Sequence, residues 1–125
     1  MSVKGVFLKQ IDNFIDELCV IFPENKDILL FSEKYYFIKN INSTLIIDYF
    51  LSYIYIYKNK INDEDESFFL EGGGQDEIKD TSGLKFRDNI KKLWLNEMSS
   101  ENKEIIWKYF KVFILLCEKL LREKL

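Results

Sequence analysis

The chain has no histidine and no alanine, and in its 125 residues only one proline, two arginines (Arg87 and Arg122) and two cysteines (Cys19 and Cys117). Each shortage removes something. Without histidine the chain lacks the side chain whose ordinary pKa suits proton transfer near neutral pH, and with it the commonest metal ligand. Two cysteines far apart in sequence make neither a disulfide framework nor a zinc site. Each falls in phase with apolar neighbours, Cys19 with Ile15 and Phe22, Cys117 with Phe113, Leu120 and Leu121, which is the pattern of small buried hydrophobes. Without alanine, helices cannot rest on intrinsic propensity, so the packing of apolar faces must carry them. No apolar run reaches the roughly 18–20 uncharged residues that cross a bilayer. Leu45–Tyr57 is interrupted by Asp48, and Ile105–Cys117 by Lys108 and Lys111. The opening MSVKGVFLKQID is too short and broken in its apolar part for a secretory leader. These absences lead us to expect a soluble protein of the cytoplasm, with no membrane partner, no metal and no cofactor.

Aromatic residues, by contrast, are plentiful: eleven Phe, seven Tyr and two Trp, within a chain that is 47% hydrophobic and 31% charged. That is too apolar for a disordered chain and enough for one core, so residues 1–125 are expected to form a single helical domain. The abundant residues Ile, Asn, Lys, Phe and Tyr have codons written in A and T, while the scarce Ala, Pro and Arg need G and C. An AT-rich genome is the implied source. The aromatic excess then has two readings, codon bias or the enrichment of Tyr, Trp and Phe at interfaces.

Helical periodicity organises most of the chain. Over Val6–Phe22, the residues Phe7, Ile11, Phe14, Ile15, Leu18, Ile21 and Phe22 recur at steps of three and four, with Lys9, Asp12, Asn13 and Asp16 on the other side. Pro23 stops that helix and is suited to the first position of the next. The tract from Lys34 to Phe50 reads as helix, with a strand pair turning at Asn40–Ser43 as the alternative, because β-branched and aromatic residues favour strands. Asn42 or Ser43 then caps a third helix to about Lys60, apolar nearly all round and carrying Tyr49, Tyr53, Tyr55 and Tyr57. Two more helices are expected at Leu84–Met98 and about Ser100–Lys124, joined through Ser99 or Ser100 as N-cap. The fold class that follows is an all-α bundle of about five helices.

Residues 62–83 break the pattern. Eight carboxylates there face Lys79 alone, a net charge of about −7 that leaves the remaining body near +4. Phe68-Phe69-Leu70 reads as an apolar plug, one helical turn that anchors the segment, and Gly72-Gly73-Gly74 as a flexible stretch. Asp63-x-Asp65-x-Ser67 starts like a calcium loop but fails as one, since Phe68 stands where the turn needs Gly and Gly74 where a bidentate Glu is required. The triple glycine is no phosphate loop either, because no GK[ST] follows it. No Ser or Cys has a visible basic partner, so catalysis is not expected.

Two binding readings remain. Exposed aromatic surface would serve protein–protein contact or self-association into a homo-oligomer, with Phe68, Phe69, Trp94 and Trp107 as candidate anchors and core packing as the competing role for Trp107. The alternative is nucleic acid held by Lys85, Arg87, Lys91, Lys92, Lys103, Lys108 and Lys111 on the last two helices.

The stretch FPENKDIL at Phe22–Leu29, Lys60-Ile61 followed by Asp65-Glu66-Ser67-Phe68-Phe69, and the run from Asn102 through Trp107 to Phe110 together resemble small helical proteins of nucleocytoplasmic large DNA viruses, the mimivirus and phycodnavirus group. The likeness runs loosely over most of the chain, and its motifs are short and structural. It implies an all-α fold and a place in the cytoplasm of an infected host cell, in the viral factory or in the virion. It carries over no catalytic residue.

Overall fold

The computed structural model describes residues 2–70 and 86–123, with the side chains of 86–89 excepted. Helix α1 (Val3–Ile21) starts where the Ser2 hydroxyl accepts the Gly5 N–H at 3.0 Å, satisfying one of the free donors of the first turn. It buries the stripe Phe7, Ile11, Phe14, Ile15 and Leu18. The chain then turns through Phe22–Asn25. Helix α2 (Lys26–Ile41) begins with Asn25, whose side chain accepts the Ile28 N–H at 3.0 Å. Pro23 therefore lies in the turn and not at the first helical position, because the Asn25 cap is the stronger start signal. Asn42 likewise ends α2 and caps α3 (Ser43–Tyr49) by accepting the Thr44 N–H.

The expected third helix is helical but not uniform. After α3 the backbone widens into a π-helical turn (Phe50–Ile54), tightens into a 3₁₀ turn (Tyr55–Tyr57), and resumes as α4 (Lys58–Asn62). The Ile-Tyr-Ile-Tyr alternation thus falls at the junction of two irregular turns, where crowded β-branched and aromatic side chains depart from ideal pitch. No strand occurs among the described residues, so the hairpin alternative at Asn40–Ser43 is excluded.

The start of the acidic segment is ordered. Glu64 has φ 52°, and around it the Asp65 N–H bonds to the Lys60 carbonyl at 2.8 Å and the Glu64 N–H to that of Ile61 at 3.1 Å. This pair of bonds closes α4 as a Schellman cap, with Glu64 in the left-handed position usually given to glycine. Asp65 then accepts the Ser67 N–H at 3.0 Å and opens the single turn α5 (Ser67–Leu70). The rest of the expected loop, including Gly72–Gly74, lies outside the described residues. Helix α6 (Phe86–Asn96) and helix α7 (Ser100–Glu123) follow, with Ser99 capping α7 through its hydroxyl and the Asn102 N–H at 3.1 Å.

The core forms where α1 lies antiparallel on α7. Phe7 stacks on Phe113 at 5.9 Å, while Phe14 meets Phe110 and Phe113 edge-on at 5.5 and 5.6 Å. Phe50, from the π-helical turn, closes the same cluster at 5.1 Å from Phe113. Offset and edge-to-face geometries are the arrangements that aromatic quadrupoles prefer. Helix α2 packs on α1, α3 and α6 at the flank of this core, and α5 wedges against α6.

Candidate interaction surface

All four candidate anchors lie inside, which for Trp107 is the core role already read from the sequence. Phe68 and Phe69 are fully buried, and Trp94 and Trp107 keep 1% and 5% of their surface. Phe69 is the hub: its ring stacks on Trp94 at 4.2 Å and sits 5.1 Å from Trp107 and 5.5 Å from Phe110. Phe68 packs between Tyr57 and Phe110 at 5.6 and 5.7 Å. The reason is local. The acidic residues of the α4–α5 turn stay in water, so the one-turn helix behind them drives both rings inward against α6 and α7. The plug role read from the sequence holds, and the surface-anchor role is corrected, since a ring buried in its own core presents nothing to a partner. The Trp94 Nε1–H has no hydrogen-bond acceptor among the described residues, while the Lys103 ammonium lies 5.1 Å above its ring.

The acidic turn is held to α7 by lysines the nucleic-acid reading would need. Lys111 pairs with Glu64 at 2.5 Å and Lys103 with Glu66 at 3.5 Å, and Lys60 donates to the Ser67 hydroxyl at 2.8 Å. The Ser67 N–H and hydroxyl hold the exposed Asp65 carboxyl below its usual range. Of the remaining basic candidates, Lys91, Lys92 and Lys108 are exposed. The side chains of Lys85 and Arg87 lie outside the described residues. Cys117 is buried, and burial, with Glu118 beside it, pushes its thiol up to about 12.

Exposed apolar surface gathers elsewhere, on α2. Four of its large hydrophobic side chains are exposed, more than on any other helix among the described residues. Leu30, Phe37 and Ile41 keep 58%, 66% and 68% of their surface. At 3.6 residues per turn these three fall within about 40° of one another, on the side opposite the buried Ile28, Phe31 and Tyr35. A helix of a small bundle ordinarily turns such residues inward.

Besides that buried face, a polar clasp on the inner side holds this orientation. The Tyr35 hydroxyl donates to Asp12 Oδ1 at 2.7 Å, Lys39 Nζ to Asp12 Oδ2 at 2.6 Å, and the Tyr36 hydroxyl to Asp16 Oδ1 at 2.8 Å. Burial and then the carboxylate acceptors hold both phenols well above their ordinary range, so they remain donors at any physiological pH. Charge-assisted bonds of this kind have strict geometry. Rotating α2 to bury Phe37 would strand a half-buried Asp12 without its partners. The clasp was not legible in the sequence, where the tract from Lys34 onward reads only as a choice between helix and strand and nothing ties it to Asp12 or Asp16.

At the α1–α2 turn an open depression of about 530 Å³ is lined by Ile21, Phe22, Pro23, Glu24, Asn25 and Glu97. A second, apolar void inside the core, about 10 Å³ among Ile11, Phe14, Phe31, Tyr35 and neighbours, has no polar lining. Among the described residues no group of three or more metal-ligating side chains converges, and no helix is long and apolar enough to cross a membrane. No family model, curated protein or solved structure matches this chain.

Proposed function

We propose that the chain is a noncatalytic protein that works by protein–protein contact, assembling with itself or with another protein, through the outward face of α2. One observation carries the reading: three large apolar side chains more than half exposed on a single helix face, held there by the Asp12–Tyr35–Lys39 clasp. Apolar patches of this kind on small proteins mark interaction sites. The AT-rich codon signature and the short stretches around Phe22–Leu29 and Asn102–Phe110 favour an origin in a large DNA virus, with action in the host cytoplasm, the viral factory or the virion.

Nucleic-acid binding is the second reading, favoured by the exposed Lys91, Lys92 and Lys108 on α6 and α7. It is weakened by Lys103 and Lys111, which are engaged with Glu66 and Glu64. Size exclusion with light scattering, read at 260 and 280 nm, separates the two. A mass above 15.0 kDa without excess absorbance at 260 nm, insensitive to salt, supports protein contact. A 260 nm excess that high salt removes supports nucleic acid, because phosphate contacts weaken steeply with salt.

A further inference from the structure

Resting on the reading of α2 as a contact surface, we propose that its partner is a second copy of this chain, with two α2 helices packed antiparallel across a twofold axis beside Leu30. The argument comes from charge placement along the stripe. Lys26 and Glu33 are both exposed and seven residues apart, so they stand on the same flank of the apolar stripe, about 10 Å apart along the helix. A twofold axis perpendicular to two helices reverses their direction and keeps each flank on its own side. It therefore brings Lys26 of each copy to Glu33 of the other, and both pairs form at one register, centred between residues 29 and 30. A parallel twofold leaves these residues on opposite sides of the seam, where they cannot meet.

The same register is consistent for the apolar residues. Leu30 lies next to the axis and meets its own counterpart, as a self-complementary interface requires. Phe37, about 11 Å from the axis, extends past the first residue of the other copy's α2, which stands about 5 Å from the axis. Charged residues then flank an apolar centre, the usual anatomy of an interface. The patch is one helix wide, which places the pair among weak, concentration-dependent contacts below about 1,200 Å².

The test is sedimentation equilibrium of the full chain over a wide concentration range at about 0.15 M salt. Wild type is expected to pass from monomer to dimer with concentration. Phe37→Glu, a surface change that leaves the far-UV circular dichroism unaltered, is expected to weaken dimerisation at least tenfold. Lys26→Glu and Glu33→Lys are each expected to weaken it several-fold, because each sets like charges against one another. Mixing these two single variants creates a heterodimer in which both pairs are again complementary. The mixture, and the double variant alone, are expected to recover association within about threefold of wild type. A wild type that stays at 15.0 kDa throughout removes the second copy as partner and leaves the α2 face to a different protein. Association unaffected by Phe37→Glu overturns the α2 face itself, and with it the reading on which this inference rests. Loss with Phe37→Glu but no rescue on mixing overturns the antiparallel register.

Discussion

Replacing Phe69 by alanine separates a core plug from a surface anchor by several kcal/mol. The ring is fully buried and faces Trp94, Trp107, Phe68 and Phe110. Returning a buried phenylalanine's apolar surface to water costs about 1.5–3 kcal/mol. If the walls collapse only partly and leave a void on the order of 50 Å³, about 1.2 kcal/mol is added at about 24 cal/mol per Å³. Loss of the stacked and edge-on ring contacts adds to this, on the order of 1 kcal/mol. The total, about 4 kcal/mol, is a large share of the 5–15 kcal/mol that holds a typical domain together. Urea unfolding followed by tryptophan fluorescence reads it directly, since Trp94 and Trp107 both border the site. Phe69→Leu, which keeps most of the volume, is expected to cost less than half as much. A loss below about 1 kcal/mol for Phe69→Ala is the behaviour of an exposed side chain and would refute the plug.

Three further outcomes follow from the same structure. Tyr35→Phe removes a hydroxyl donor to the Asp12 carboxylate and is expected to cost about 1.5–3 kcal/mol in urea unfolding; a neutral effect would mean the clasp does not orient α2. Glu64→Gly relieves the left-handed backbone at φ 52° while giving up an exposed pair with Lys111, and since the first effect is about 1 kcal/mol and the second usually smaller, thermal unfolding should show unchanged or raised stability. The buried Cys117 thiol, raised from 9.0 to about 12 in the folded chain, keeps its proton longer than in the unfolded chain. Its stabilisation is complete below about pH 9 and is lost above it at up to about 1.4 kcal/mol per pH unit. Comparing urea midpoints at pH 8 and 10.5 for wild type and Cys117→Val should show a smaller alkaline loss in the variant.

Helix class and most boundaries were legible because periodicity and caps are local. The α1 stripe from Phe7 to Leu18, the Asn42 cap and the Ser99 cap could each be read from a few neighbouring residues. The burial of Cys117, and the helical turn at Phe68–Phe69, were legible for the same reason. What local pattern could not supply was direction. Phe68 and Phe69 could be read both as a plug and as candidate anchors, and only the fold shows that their rings point at α6 and α7, which lie far along the chain. On α2, Leu29, Leu30, Phe37 and Ile41 could not be told from core residues. Their exposure goes with the bonds that Tyr35, Tyr36 and Lys39 make to Asp12 and Asp16 on another helix, and no spacing within α2 encodes that. The π-helical and 3₁₀ turns in the tyrosine-rich stretch were visible only as an ambiguity between helix and strand.

The pairing of α1 with α7 makes the core depend on a contact between distant parts of the chain. The rings that seat Phe7 and Phe14 are Phe110 and Phe113, so the first described helix finds its main support in the last one. Closing a loop of this length has to precede the contacts that reward it. On the ribosome the aromatic stripe of α1 emerges long before its cover is made. Until α7 is synthesised, α2 and its polar clasp are the nearest shelter that stripe has. An Asp12–Tyr35–Lys39 arrangement that fixes how α2 sits on α1 would then act early, keeping a two-helix fragment in native alignment while the rest of the chain is still being made.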